Sequence, residues 1–353
     1  MTGLIVHSDT PFNAETPLDR LRACFTTPQR DFYVRSHGAV PVIGAETHRL
    51  RVHGRIALPL DLSMHDLRSD FAARTVMAVM QCAGNRRADL HRVRPVLGDP
   101  WAGGAIGNAT WTGVPLADVL RAAGADSGPD RHVAFETCDR VRGQFRYGVS
   151  IPMAKALRPE VLLAYAMNDE PLTPEHGFPL RVVVPGFAGV RSPKWLATIT
   201  VQDGPSDNPM QQTDYKLLPP DVTEATVDWA NGITINEMPL NAAICEPAAG
   251  ARVKAGPTTV RGYATATERT IERVDLSADA GAHWQQATLE RRPEAPWSWA
   301  FWEARIDLPP GEHELAVRAW DSAGQTQPAS PADAWNFKGY LSAAWHRVRI
   351  QAV

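Results

Sequence analysis

Thr75-Val76-Met77-Ala78-Val79-Met80-Gln81-Cys82-Ala83-Gly84-Asn85-Arg86-Arg87 is the stretch from which the rest of the chain can be read. Its first six residues are β-branched or apolar throughout, the composition of a buried strand. That strand delivers Cys82 to a loop turned at Gly84 and followed by two adjacent arginines. A thiolate is a suitable ligand for a soft or high-valent metal centre. Neighbouring guanidinium groups favour thiolate over thiol, and they bind small oxyanions with paired, directional hydrogen bonds. The bland alternative is a packed core cysteine, the usual state of a free thiol.

Outward from this loop, the first two-thirds of the chain mixes strand and helix signals. His48-Arg49-Leu50-Arg51-Val52 alternates like a half-buried strand. Ser63-Met64-His65-Asp66 has the Ser-x-x-acid form of a capping box and predicts a short helix. Val114-Pro115-Leu116-Ala117-Asp118-Val119-Leu120 reads as a helix with proline in its first turn. Val161-Leu162-Leu163-Ala164-Tyr165 reads as a strand closed by the polar Asn168-Asp169. Together these describe a mixed α+β domain with function on its loops.

The character changes after about Val222. From Ile244 onward, short alternating segments stand between turn clusters. Val274, Leu276 and Ala278 precede Asp279-Ala280-Gly281, and Leu315, Val317 and Ala319 precede Asp321-Ser322-Ala323-Gly324. This spacing predicts an antiparallel β-sandwich. Trp284, Trp297, Trp299, Trp302 and Trp320 offer large apolar area for its core or for an interface. We place the boundary near residue 230, dividing the chain into domains 1–230 and 231–353.

Composition agrees with two domains, since 353 residues is long for one core. A hydrophobic fraction of 44% is enough to build a sizeable interior. The formal net charge of -3 gives no electrostatic case for nucleic acid or an anionic membrane as partner. Positive potential must therefore be local, made by clustered arginines, as a pocket for an anion requires. Cys24, Cys82, Cys138 and Cys245 form no C-x-x-C pair, zinc spacing or disulfide framework, so reduced thiols are expected. Met1-Thr2-Gly3-Leu4-Ile5-Val6-His7 shows no basic n-region, apolar core or twin arginine. No apolar run is long enough to span a bilayer, and a cytoplasmic location is the expectation.

Gln81-Cys82-Ala83-Gly84-Asn85-Arg86-Arg87 resembles the molybdenum-ligand signature of the sulfite oxidase family. Further segments resemble the family in the same order. They are Phe32-Tyr33-Val34-Arg35-Ser36-His37, the run from His176 to Gly186, Arg191-Ser192-Pro193-Lys194-Trp195-Leu196, Asp214-Tyr215-Lys216, Trp335-Asn336-Phe337-Lys338-Gly339 and Ala344-Trp345-His346-Arg347-Val348. The resemblance spans nearly the whole chain. It implies an α+β molybdopterin-binding domain followed by an immunoglobulin-like β-sandwich that makes a homodimer. It also implies molybdenum carried by molybdopterin, with Cys82 as the one protein thiolate on the metal.

By the same resemblance, Arg35, Arg87 and Lys338 fall at substrate-pocket positions, where cations hold a small oxyanion and stabilise charge in the transition state. Trp101 matches a pocket-wall position, although a core tryptophan explains it nearly as well. Tyr215 matches a tyrosine beside the metal, where a hydroxyl can donate to substrate or relay a proton; the alternative is a turn tyrosine capping a strand. His37, His176, Arg181, Ser192 and Lys194 match cofactor contacts. The backbone around Tyr33 is expected to contribute, with Asp139 as a possible acceptor for pterin N–H groups. A phosphate and polar ring atoms need such paired partners.

One departure stands out. The family's sulfite-oxidising enzymes usually carry arginine where this chain has Lys338. Lysine keeps the charge and loses the planar fork, so substrate affinity is open. Related nitrate reductases tend to lack a cation there, so the lysine leans towards sulfite. There is no C-x-x-C-H motif and no cysteine cluster. Neither haem nor an iron–sulfur centre is expected, and electrons are expected to pass to a separate carrier protein or to oxygen. Oxidation of sulfite to sulfate is the leading expectation, with nitrate or sulfoxide reduction as the alternative. Two readings of other classes are an interaction protein with a vestigial motif, and hydrolysis by Cys82 activated by a histidine such as His37.

Overall fold

The computed structural model describes residues 3–353. Thr75–Met80 lies inside the strand Arg74–Gln81, which pairs antiparallel with Ile106–Pro115 over its full length. Ile106–Pro115 continues to Leu162–Met167, whose other partners are Arg181–Val183 and Glu170–Pro171. Arg74–Gln81 is the edge of this sheet. Only Ala78, Met80 and Gln81 are buried, so the strand is not covered throughout as its composition suggests. Part of its open edge is met by Trp297, whose carbonyl accepts the Val79 N–H at 2.9 Å.

A second sheet runs Leu60–Ser63, Arg49–Gly54, Leu196–Asp203, Arg131–Val141, Phe145–Pro152. Arg49–Gly54 and Leu196–Asp203 are parallel, and the other neighbours antiparallel. Leu50 and Val52 are buried while Arg49 and Arg51 are exposed, the alternation of a half-covered strand. The capping box forms: Asp66 N–H donates to Ser63 Oγ at 3.1 Å and Ser63 N–H to the Asp66 carboxylate at 2.8 Å, opening the helix Met64–Ser69. Asn168 and Asp169 take φ of 53° and 64°, the pair of left-handed residues that a tight two-residue hairpin needs. One boundary differs from expectation. Val114 and Pro115 end the strand, and the helix is Leu116–Ala122. Pro115 has ψ of 129°, an extended value, so it precedes the first turn instead of lying in it.

From Asn241 onward the chain forms a β-sandwich. One sheet runs Asn241–Glu246, Gly256–Thr265, Ala300–Leu308, Thr288–Glu290; the other runs Arg252–Val253, His346–Ala352, Gly311–Asp321, Ile271–Ser277, Gln285–Gln286. Val274, Leu276, Leu315, Val317 and Ala319 meet Trp302 in its core. Asp275 lies between two of them and is buried as well, because Arg273 and Arg318 cover its carboxylate. The tryptophans divide by location. Trp299 packs with Leu21, Phe25 and Ile106 at the seam with the first domain, and Trp297 joins the cluster around Cys82. Trp284 and Trp320 flank the Arg318 guanidinium, at 3.9 and 4.7 Å from their ring centroids.

The connection between the last two long strands returns to the first domain. Tyr340 stacks on Tyr215 with centroids 5.2 Å apart, and the Leu341 N–H donates to the Ala83 carbonyl at 2.8 Å. The Cys82 loop is thereby enclosed by residues from the far end of the chain. Among the described residues, no helix is long and apolar enough to cross a membrane.

Candidate active site

Cys82 follows the strand Arg74–Gln81 directly and lines a cavity with about 680 Å³ of space, its mouth included. Of the residues expected at a site, Tyr33, Arg35, His37, Asp139, His176, Arg181, Ser192, Lys194 and Tyr215 line the same cavity. Local structure aims them there. His176 ends a 3₁₀ turn that Gly177 stops at φ 108°, and Arg181 opens the next strand. Ser192 caps the 3₁₀ turn Gly189–Arg191, with Lys194 two residues on. Strand pairing shifts register between Glu136 and Arg140, a bulge-type irregularity of the kind that re-aims side chains, and Asp139 falls within it.

The cavity is rich in cations. Arg181 donates to the carbonyls of His176 at 2.8 Å and Ser192 at 3.0 Å, and burial lowers its pKa to about 10. Lys194 donates to Ser36 Oγ and to the Glu175 carbonyl, each at 2.8 Å. Burial, and then repulsion from Arg181, push its pKa down to about 7. His176 donates from Nε2 to the Gln29 carbonyl at 3.1 Å, which leaves Nδ1 without a proton. Its pKa falls to about 3 through burial and the charges of Lys194 and Arg181. His37 is also held neutral, by burial and then by Arg35 and Lys194. Burial raises the Asp139 carboxyl, which accepts from the Thr137 hydroxyl. Arg35, Arg181 and Lys194 face two acidic side chains here, Asp139 and Glu175, and the Asp139 carboxyl is itself pushed towards neutrality. Such a site is charged for an anion. The donors fit a phosphate-bearing pterin, and Cys82 fits the thiolate of its metal.

At Cys82, the Sγ accepts the Gly84 N–H at 3.4 Å. Arg35 lies within Coulombic reach of both Cys82 and Tyr215. Its Nη1 is held by Asn13 Oδ1 at 3.3 Å and by the Ser36 carbonyl. The Tyr215 hydroxyl bonds His37 Nε2 at 2.8 Å, and burial raises the phenol to about 12. His37 is thus engaged by Tyr215, and among the described residues no hydrogen bond joins it to Cys82.

Three expected substrate residues stand off the cavity wall. Arg87 is buried in a cradle of glycines: a Cβ at Gly84, Gly98 or Gly339 would lie 2.5, 2.8 or 2.7 Å from its side chain. It donates to the carbonyls of Asp99 at 3.0 Å and Gly339 at 3.3 Å, and lies 5.3 Å from the Tyr340 ring centroid. Lys338 Nζ pairs with the Asp214 carboxylate at 3.4 Å. Trp101 is fully buried in the same apolar cluster as Cys82, with its ring edge-on to His7 at 4.8 Å. For this tryptophan the core explanation describes the position better than a pocket wall. Conversely, Ser36, Tyr147, Glu175 and Trp195 line the cavity without having been singled out. Ser36 lay inside a quoted motif. Trp195 adopts φ 53°, which no sequence rule assigns to so bulky a residue.

Residues 37–210 match the family described as oxidoreductase molybdopterin binding domain, and residues 233–353 match the Mo-co oxidoreductase dimerisation domain. Fold and site together therefore define a molybdopterin-binding oxidoreductase. The chain is 45% identical to sulfite oxidase of Gallus gallus over 98% of its length and 77% of that protein. It is 39% identical to sulfite oxidase of Arabidopsis thaliana over 99% of its length and 94% of that protein. It spans 63% and 66% of the mitochondrial sulfite oxidases of Drosophila melanogaster and Homo sapiens. It also superposes on the sulfane dehydrogenase SoxCD of Paracoccus pantotrophus with a TM-score of 0.83 and 27% identity, covering 96% of this chain and 84% of that one. The chain belongs to the sulfite oxidase family.

Proposed function

We propose that this protein oxidises sulfite to sulfate by oxo transfer at a molybdenum held by molybdopterin and Cys82, passing electrons to an external acceptor. The observation that carries this reading is the convergence of Arg35, Arg181, Lys194 and Cys82 on one cavity. When bound, the molybdenum–pterin group supplies two-electron, oxygen-atom chemistry that side chains lack.

The chain's own residues bind, orient and handle protons. Arg181, Lys194, Ser192 and His176 would hold the cofactor's phosphate and polar edges, with the backbone at Tyr33, His37 and Asp139 completing the set. An anion in the cavity favours the charged form of Lys194, which burial and then Arg181 otherwise oppose. Arg35, fixed on one side by Asn13, presents the rest of its guanidinium to the oxyanion. Tyr215 keeps its proton and can donate it in a hydrogen bond to the substrate, with the Nε2–H of neutral His37 donating to the phenol oxygen behind it. Arg87 adds positive potential from behind the Tyr215–Tyr340 stack. Lys338 reaches substrate only by leaving Asp214, and a partly exposed pair of that kind is worth about 0–1 kcal/mol. Trp101 supports Cys82 from behind.

The same reading divides the chain near residue 230, joins two copies through an immunoglobulin-like sandwich, and gives a haem-free, cytoplasmic enzyme. The match to a dimerisation domain supports the homodimer. The test is to assay molybdenum-loaded protein for sulfite oxidation with ferricyanide, oxygen and cytochrome c in parallel. Turnover is expected, and the preferred acceptor identifies the class of electron partner. No turnover at full metal loading would overturn the sulfite reading in favour of nitrate or a sulfoxide, with Lys338 the first residue to examine.

A further inference from the structure

The cysteine loop is held from the far side of the molecule. Tyr263 lies on the strand Gly256–Thr265 of the sandwich and is fully buried. Its hydroxyl donates to the Gly103 carbonyl at 2.9 Å and accepts from Asn85 Nδ2 at 3.3 Å. The other end of that amide, Asn85 Oδ1, accepts the Ala105 N–H at 3.0 Å, and the Ala105 carbonyl accepts the Cys82 N–H at 2.9 Å. A continuous hydrogen-bonded path thus runs from a side chain of the second domain to the backbone of Cys82. Two further ties secure the same loop. Arg86 donates to Asn241 Oδ1 at 2.7 Å, and the Leu341 N–H donates to the Ala83 carbonyl.

We propose that Tyr263 is a positioning residue for Cys82, so that the sandwich, besides any role between subunits, completes the metal site of its own chain. Because it touches neither substrate nor cofactor, it acts only through Asn85 and the 103–105 backbone. Its hydroxyl fixes which way the Asn85 amide faces: a carbonyl at Gly103 takes the phenol proton, so the phenol oxygen is left to receive the Asn85 amine. Asn85 must then present its oxygen to Ala105. Without the hydroxyl, the Gly103 carbonyl and Asn85 Nδ2 are left buried and unpartnered, and the loop gains freedom to relieve them. The inference rests on Cys82 being a metal ligand.

The experiment uses the full-length, molybdenum-loaded protein and the substitutions Tyr263→Phe, Asn85→Ala and both together. Phenylalanine keeps the ring that stacks on Trp299 at 5.6 Å, so the sandwich stays packed. Molybdenum retained during dialysis is measured by mass spectrometry, beside the melting temperature and kcat for sulfite. Each single variant is expected to lose molybdenum about tenfold faster than wild type, with a melting temperature close to wild type. The double variant is expected to be no worse than the poorer single one, because both act along one path. Unchanged retention in Tyr263→Phe, or losses that multiply and track a falling melting temperature, would overturn the proposal. A wild-type protein that holds no molybdenum would overturn the metal reading beneath it, a result distinct from either.

Discussion

Replacing Lys194 with methionine tests whether the cavity is built to receive a negative charge. In the cofactor-free protein, burial and Arg181 lower this lysine from 10.5 to about 7. The unfolded chain then binds more protons than the folded one between about pH 7 and 10.5, so stability rises with pH across that window. Below about pH 7 the cost of charging the buried amine is complete, at most about 5 kcal/mol. Between about pH 6 and 9 roughly half of it is relieved, or about 2–3 kcal/mol. Methionine has the same reach and no charge, so Lys194→Met removes this dependence. It also gives up the hydrogen bonds to Ser36 and Glu175, a constant loss of about 1–3 kcal/mol. Urea unfolding of cofactor-free wild type and variant at the two pH values isolates the changing part. Relative to wild type, the variant is expected to be about 2–3 kcal/mol better off at pH 6 than at pH 9. In loaded protein the sign reverses, and the variant should release its cofactor faster because an anion's partner is gone. An offset between wild type and variant that is the same at both pH values would refute the reasoning, since Lys194 would then not be a strained cation.

Cys82→Ser changes one buried atom; turnover and molybdenum retention should fall at least about 100-fold while circular dichroism stays unchanged, and retained activity would end the metal-ligand role. Gly84→Ala places a Cβ 2.5 Å from the Arg87 guanidinium at a position whose φ is not in the left-handed region. The backbone tolerates it and Arg87 must move, so kcat/KM for sulfite should drop about 10–100-fold with little change in melting temperature; an unaltered kcat/KM would take Arg87 out of the site. Tyr215→Phe removes the hydroxyl bonded to His37 but keeps the stack on Tyr340, and kcat should fall about 100-fold. With His37 held neutral and Tyr215 raised to about 12, wild-type kcat should show no inflection from either group between about pH 6 and 9.

Features whose physics is local could be read along the chain. The Ser63–Asp66 capping box closes within three residues, the Asn168-Asp169 hairpin depends on two φ angles, and the sandwich strands follow from a period of two. The motif around Cys82 marks the loop that lines the cavity, and most of the residues matched to cofactor contacts line it too. Asp139 lies where the strand pairing slips, and a slip is invisible in a pattern of residue types. Asp275 occupies the polar position of an alternating strand, yet it is buried because two arginines close over it.

The two adjacent arginines show where sequence stops and tertiary structure begins. Residue types alone determined that a thiol, a glycine turn and guanidinium groups share one loop, and that this loop follows a strand. Which way each arginine points is decided by backbone geometry and by tertiary partners. Arg86 takes φ 63° and turns its side chain to Asn241 of the sandwich. Arg87 opens the next helix and lies between Asp99 and Gly339. Gly84, Gly98 and Gly339 leave room for it only because the chain brings all three to one place. A side chain's direction depends on its own φ and ψ and on what fills the space around it, and that space here is shared between near neighbours such as Gly98 and Asp99 and residues more than a hundred positions away such as Asn241 and Gly339.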